Sequence, residues 1–434
     1  MPHCQSLPVR GVHTRSRRQA LHLPPPAGGE IMIMLGVVQA RFPAPEFDNY
    51  QVPLIQVENT VADVTPWRIL LLVLFLLCGT VLFYKYRSRK GLLFLSLAGL
   101  VLFGFVLKSC PCPVGMFQNI AESVANGTYV PLGILLLFTL PLICALFYGR
   151  VFCAGACPLG AIQELLHWRT ITIPLALDRV LRLIPILLLL VCSACAACGL
   201  GFPLCYLEPY LPIFVLNFAT PLAILSAIFV LIGLFVSRPF CRFICPYGAL
   251  LRFCTLFAIK KPVITVKECV NCKLCEQGCP NGAVLPPEPD TPAATRQKGT
   301  RRLSMLVACI PLALFLGGLL GYFAAPAMSS MHRDVRLLRD VEAKRQTLEV
   351  EAFEAQGSSL NELKANAVHA QNKTLVCMTL AGMLFSACVM AELIAESRRR
   401  REENSYSIDA SLCFCCGRCY AACPLERKEK QHEK

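Results

Sequence analysis

Apolar residues occur along the chain in seven long runs separated by short polar or charged segments. A membrane-spanning helix needs about 20 mostly apolar residues, and each run approaches that length. A single run could be a buried core helix, but seven in one chain favour a protein that crosses a bilayer repeatedly. The predicted spans are residues 68–84, 91–107, 130–148, 181–200, 217–236, 303–325 and 374–395. We therefore expect an α-helical polytopic membrane protein with about seven transmembrane helices.

Lys and Arg are concentrated in alternate loops between these spans. They cluster at 85–90, 150–182, 238–261, 296–302 and 398–401, whereas the loops at 109–129 and 201–216 contain neither residue type. Since cytoplasmic loops carry the excess of Lys and Arg, the basic loops and the C-terminus are predicted to be cytoplasmic. The loop at 326–372, which contains both charge signs, is then outside, and its helical spacing predicts two helices that extend spans six and seven.

The composition agrees with a membrane protein and raises a question about the cysteines. The chain of 434 residues is 55% apolar and 16% charged, against about 25% charged in average soluble domains. Its mean hydropathy is +0.55. The net charge of +14 is explained by the basic loops, so no nucleic-acid partner is inferred. Twenty-six cysteines exceed what an apolar core needs, and metal binding is the first explanation to consider.

Two cysteine runs have identical spacing, C-x2-C-x2-C-x3-C-P, which is typical of bacterial ferredoxins with one [4Fe–4S] cluster per run. In two-cluster ferredoxins the fourth cysteine of each run binds the other cluster. Cluster A is therefore predicted on Cys269, Cys272, Cys275 and Cys423, and cluster B on Cys413, Cys416, Cys419 and Cys279. Zinc is the alternative, but zinc sites usually combine separated C-x2-C pairs. When the second run is aligned with the first, Cys415 matches no cysteine of the first run and is therefore not predicted as a cluster ligand.

The two runs are separated by residues 280–412, which contain two predicted spans. An even number of spans returns the chain to the same side, so the halves of one ferredoxin module can meet. The predicted organisation is an N-terminal extracytoplasmic segment or degraded export signal (1–66), a five-helix membrane domain with a first C-x3-C-P loop (67–237), a second such loop (238–262), a first ferredoxin half (263–295), a membrane hairpin (296–402) and a second ferredoxin half (403–434).

The C-x3-C-P loops follow spans three and five and place four thiols at the predicted cytoplasmic face: Cys153, Cys157, Cys241 and Cys245. Both loops end in Cys-Pro-x-Gly. The four thiols are a candidate third iron–sulfur site, and packing of small residues at helix ends is the alternative.

A further group of thiols lies in the predicted outer loops. Cys110, Cys112 and Cys205 could form a redox relay, a cluster site or a structural disulfide. Cys192, Cys195 and Cys198 are spaced by three along span four, and helix packing is the favoured interpretation.

Several motifs resemble those of the NosR/NapH-type membrane polyferredoxins, and more closely a group of 4Fe-4S-binding membrane proteins. They are FPAPEF at 42–47, CPCPVG at 110–115, GRVFCAGACPLGAIQE at 149–164, RPFCRFICPYGALL at 238–251 and SIDASLCFCCGRCYAACPLE at 407–426. The chain departs from the family where C-G-W-x-C-P is common, because it has Ala154 and Gly155, and where Asp-Pro is expected, because it has Glu208-Pro209. Some relatives carry an external FMN domain; the resemblance implies that any flavin here belongs to a partner.

Together these features predict an inner-membrane iron–sulfur protein that links a cytoplasmic or quinone donor to an acceptor at the outer face. An exported flavoprotein or reductase is the expected partner. We expect an electron-transfer component of an oxidoreductase system, with no catalytic residues of its own. The alternative is a redox-sensing or cofactor-maturation protein of the NosR type.

Overall fold

The computed structural model describes residues 66–107, 113–171, 173–206, 208–216, 220–264, 269–287, 293–345, 347–355, 359–398 and 406–425. All of them belong to one structural unit, Val64–Lys434. The predicted N-terminal segment lies outside the described residues, as do Cys110 and Cys112.

The described residues are mainly helical. The helices are α1 (Pro66–Tyr84), α2 (Arg89–Gly99), which continues as a π-helical segment (Leu100–Val106), α3 (Pro113–Asn126), α4 (Leu132–Tyr148), α5 (Val151–Gly155), α6 (Pro158–Leu166), α7 (Leu175–Leu181), α8 (Ile184–Ala197), α9 (Pro203–Tyr206), α10 (Leu211–Val215), α11 (Thr220–Phe235), α12 (Pro239–Phe243), α13 (Pro246–Leu256), α14 (Leu274–Gln277), α15 (Ala293–Ala308), α16 (Ile310–Ser329), α17 (Arg333–Glu342), α18 (Leu348–Ala355), α19 (Leu360–Arg398) and α20 (Arg418–Ala422).

Each of the seven predicted spans corresponds to helical structure, but the helices differ in length. Five segments are long and apolar enough to cross a membrane: Pro66–Tyr84, Arg89–Val106, Ala176–Ala197, Ile310–Ser329 and Leu360–Ala395. The apolar helices of spans three and five are shorter, at 17 residues in α4 and 16 in α11. At about 1.5 Å per residue, they reach less than the ~30 Å thickness of a hydrocarbon core. The protein is a multi-pass membrane protein with five candidate spans among the described residues.

The predicted bounds of span six require correction, whereas the helical extension predicted for span seven is present. Span six begins at a break between α15 and α16, where Pro311 occupies the first turn of α16. A proline lacks the N–H that would continue the preceding helix. Span seven is the 39-residue helix α19, about 58 Å long by the helical rise, so it extends well beyond one bilayer thickness. The segment that follows α16 forms α17 and α18, which pack on the start of α19 through Leu337, Val350 and Leu363.

Helices α16 and α19 approach each other closely through glycines. A Cβ built on Gly382 would collide with the Gly317 carbonyl, and one built on Gly321 would collide with the Met378 carbonyl. Small residues permit such close approach between membrane helices. This hairpin is the insertion between the two ferredoxin runs.

The two ferredoxin halves meet in a two-stranded antiparallel sheet. Strand β1 (Val284–Leu285) pairs with β2 (Ser407–Ile408), with Val284 opposite Ile408 and Leu285 opposite Ser407. The chain therefore returns after the hairpin to the segment that it left, as the even number of intervening spans predicts.

Candidate metal centres

The first ferredoxin run surrounds a pocket that the second run completes. Cys269, Cys272 and Cys275 line this pocket together with Cys423, and Tyr406 forms part of the wall. Cys269 and Cys272 are exposed, whereas Cys275 is buried. The four cysteines are the set predicted for cluster A.

The second run surrounds a second pocket in the reciprocal way. Cys413, Cys416 and Cys419 line it together with Cys279. The Cys279 sulfur accepts a hydrogen bond from the Ala283 N–H at 3.3 Å. These four cysteines are the set predicted for cluster B, so each pocket combines three thiols of one run with the last thiol of the other.

The two runs also share an unusual backbone conformation. Asn271 and Lys273 have positive φ, at 50° and 60°, and the equivalent residues Cys415 and Gly417 have φ of 52° and 70°. Left-handed conformations are uncommon in non-glycine residues. Their recurrence at matching positions indicates that both runs wrap in the same way around their pockets.

The spacing of these thiols differs from that of a single-ion site. Within the described parts of the chain, no three His, Cys, Asp or Glu side chains converge closely enough to hold one metal ion. In a four-cysteine [4Fe–4S] centre each thiolate binds a different iron, so its sulfurs are further apart. The donor chemistry and the two pockets fit such clusters.

The two C-x3-C-P loops have the same construction. The first cysteine of each lies in a short helix, α5 or α12, and the second is the N-cap of the next helix, α6 or α13. The Gly248 N–H donates to the Cys245 sulfur at 3.3 Å, and the Gly160 backbone N–H lowers the pKa of the Cys157 thiol. Amide donors and the positive end of a helix stabilise a thiolate. Glycine itself is favoured in both endings because a Cβ at Gly160 or Gly248 would crowd the carbonyl oxygen of the first cysteine of its loop.

The four thiols of these loops belong to one packed cluster in the protein core. Cys153, Cys157 and Cys241 are buried and Cys245 is half-buried. Burial raises the pKa of Cys157 most, and each of the other three thiols raises it further, as expected when like charges would be close. We call Cys153, Cys157, Cys241 and Cys245 the buried thiol set.

Polar groups around the buried thiol set favour negative charge there. Burial raises the pKa of Cys153, and the guanidinium groups of Arg150 and Arg238 oppose that effect. The Gln163 amide donates to the Cys241 sulfur at 3.2 Å, and its carbonyl oxygen accepts from the Phe240 N–H at 3.0 Å. Such hydrogen bonds and charges tune an iron–sulfur centre.

Comparison with known proteins identifies the family. The family described as "4Fe-4S binding domain" matches residues 130–175 and 218–263, which contain the two C-x3-C-P loops. The uncharacterized protein MJ0750 of Methanocaldococcus jannaschii is 30% identical over 42% of this chain and 77% of its own length. The putative electron transport protein YccM of Escherichia coli is 26% identical over 39% of this chain and 52% of its own. NirI of Paracoccus denitrificans is 33% identical over 32% of this chain and 23% of its own.

This chain belongs to the NosR/NapH-type family of membrane 4Fe-4S proteins. It is a membrane-associated 4Fe-4S protein. The chain spans about half of YccM and under a quarter of NirI. No solved structure matches it.

A buried carboxylate that the sequence did not single out joins three parts of this NosR/NapH-type protein. Glu164, with its side chain 6% exposed, contacts Arg89 at 3.0 Å, Arg238 at 3.3 Å and Arg418 at 2.6 Å. Burial raises the pKa of the carboxyl, but Arg238, Arg418 and Arg89 outweigh burial and bring the pKa down to about 2. Only the position of Glu164 within the family-like motif at 149–164 could have drawn attention to it.

The outer thiols are not brought together by the described structure. Cys110 and Cys112 lie outside the described residues, and Cys205 lies in α9 with a side chain that is not described. Cys192, Cys195 and Cys198 are buried along and just after α8, in agreement with the packing interpretation. The Cys198 thiol also contacts Cys377 of α19, a pairing that helical spacing did not predict.

Proposed function

We propose that this protein links an electron donor to an acceptor on the other side of a membrane, and that three iron–sulfur centres carry single electrons along part of this path. Two are [4Fe–4S] clusters in the ferredoxin module, and the third is held by the buried thiol set. The observation that supports this proposal is that twelve cysteines form three groups of four. Each group combines cysteines from two segments that are distant in the sequence. A bound cluster supplies reversible one-electron chemistry; the protein supplies thiolates, hydrogen bonds and burial, which set its potential.

The residues that line the two pockets support two of the proposed ligand sets. Cluster A takes Cys269, Cys272, Cys275 and Cys423, and cluster B takes Cys413, Cys416, Cys419 and Cys279. A cytoplasmic or quinone donor and an acceptor at the outer face, such as an exported flavoprotein or reductase, complete the proposal. The Lys/Arg distribution supports an inner-membrane location with the ferredoxin module in the cytoplasm.

Iron counting on anaerobically purified protein tests the number of centres. We expect about twelve iron atoms per chain, four for each four-cysteine set, with electron paramagnetic resonance signals of reduced [4Fe–4S] clusters. Cys157→Ser combined with Cys245→Ser should remove about a third of the iron. Cys254→Ser is the matched control, because this half-buried thiol lies nearby and belongs to none of the sets. If the wild type contains eight iron atoms and the double variant contains the same number, the buried thiols are structural. Zinc in place of iron would overturn the proposal.

Crossed ligation is tested by a reciprocal pair of variants. Cys279→Ala should damage the cluster held by residues 413–419, and Cys423→Ala the cluster held by residues 269–275. Cys415→Ala, a buried thiol beside the second run, should damage neither. If each variant instead removed the cluster of its own run, the two runs would be independent sites.

A further inference from the structure

We infer that the three centres form a linear chain in which cluster B adjoins the buried thiol set, and that Glu164 is the positioning residue for this junction. The inference rests on the proposed function and adds an order to it. The first pocket is the solvent-facing end of this chain of centres, because Cys269 and Cys272 are exposed. Electrons exchanged with the ferredoxin module at its surface then reach the membrane domain through the second pocket.

The second ferredoxin run is inserted into the core that contains the buried thiol set. Phe414, between Cys413 and Cys415, is 3% exposed and belongs to the same apolar cluster as Cys153 and Cys241. Cys415 contacts the loop on its other side, with its sulfur 3.5 Å from the position of a Cβ on Gly149. The described residues of the first run, 269–279, contribute nothing to this cluster.

Two arginines occupy the space between cluster B and the buried thiol set. The guanidinium carbons of Arg150 and Arg238 lie 5.0 Å and 5.4 Å from the Phe414 ring centroid. Arg238 also donates to the Cys153 carbonyl at 2.7 Å. Two neighbouring centres with thiolate ligands would repel each other, and the intervening positive charges offset this repulsion.

Glu164 fixes this arrangement because its three partners come from three different elements. Arg238 belongs to the second C-x3-C-P loop and contacts one carboxylate oxygen. Arg418 begins α20 of the second ferredoxin run and donates twice to the other oxygen, at 2.9 Å and 2.6 Å. Arg89, at the start of α2, shares that second oxygen and also donates to the Cys416 carbonyl at 3.4 Å. A single carboxylate thus ties cluster B to the loop that carries half of the buried thiol set.

The experiment compares Glu164→Gln with the matched control Glu392→Gln in the full-length protein, purified without oxygen. Glu392 forms an ion pair with Arg252 at 2.9 Å and contacts none of the three sets. Iron content and electron paramagnetic resonance of the reduced protein are measured, together with freeze-quenched reduction by dithionite. Glu164→Gln should retain iron and both ferredoxin signals but lose the magnetic interaction between cluster B and the buried centre, and reduction of that centre should slow. Glu392→Gln should match the wild type.

Unchanged magnetic interaction and unchanged reduction of the buried centre in Glu164→Gln would overturn the inference. Equal losses in Glu392→Gln would also overturn it, because the effect would then be general. If Glu164→Gln fails to assemble, Arg89→Gln decides, since it removes one partner and leaves the carboxylate paired; it should weaken the same interaction. Wild-type protein without iron in the buried thiol set would contradict the proposed function instead.

Discussion

The substitution Gly160→Ala should displace the backbone that carries Cys153 of the buried thiol set, and the structure gives the size of that displacement. An ideal Cβ on Gly160 would lie 2.5 Å from the Cys153 carbonyl oxygen, the atom that accepts the Arg238 hydrogen bond. An ordinary van der Waals contact between a Cβ and another heavy atom begins near 3.4 Å. The distance between the new Cβ and the Cys153 carbonyl oxygen must therefore increase by about 0.9 Å. Overpacking a well-filled core costs about 1–3 kcal/mol, and Gly160→Ala should fall within that range.

Two further glycines make the prediction a graded series. The equivalent residue of the second loop, Gly248, places its Cβ 3.1 Å from the Cys241 carbonyl oxygen, which requires only about 0.3 Å of movement. A Cβ on Gly233 of α11 meets nothing within 4 Å. Since alanine favours a helix over glycine by up to about 1 kcal/mol, Gly233→Ala should be neutral or slightly stabilising.

Thermal unfolding in detergent without oxygen measures the series, and the iron content of each variant is determined alongside. The midpoint should fall most for Gly160→Ala, less for Gly248→Ala and not at all for Gly233→Ala, and iron should be lost in the same order. A Gly160→Ala protein with the midpoint and iron content of the wild type would refute the argument that close backbone approach explains the Cys-Pro-x-Gly ending.

Other predictions concern pH, topology and the outer thiols. In the folded protein the pKa of Glu164 is about 2, below its ordinary value of 4.5. The contribution of Glu164 to stability is therefore complete above pH 4.5 and is lost only as the pH falls toward 2. Hydrogen-exchange protection of residues 411–423 should stay constant between pH 7 and 5, and a decline in that range would contradict the prediction. A cysteine introduced at the exposed Ser359 should react with an impermeant thiol reagent in intact cells, and reaction only after permeabilisation would invert the topology. Cys205→Ser should leave both ferredoxin signals normal and abolish whole-cell electron transfer; full transfer would leave this thiol structural.

The sequence alone identified the features that are local in the chain. Helices in a bilayer depend mainly on their own apolar length, so the seven runs could be recognised without knowledge of their neighbours. The C-x2-C-x2-C-x3-C-P spacing is equally local, since three thiols of each pocket come from seven consecutive residues. The crossed fourth ligand is a prediction made from ferredoxins with the same spacing, and the structure adds that Cys423 lines the first pocket and Cys279 the second.

Tertiary structure decided which distant groups meet. Glu164 lies 74 or more residues from each of its three arginine partners, and no periodicity connects a carboxylate with cations at such separations. Phe414 is a loop residue of the second run, and only the packing of that run against the C-x3-C-P loops brings its ring centroid to 5.0 Å and 5.4 Å from the guanidinium carbons of Arg150 and Arg238. The inferred order of the proposed centres depends on these contacts, because burial and charge at a site are produced by elements that approach it only in the folded chain.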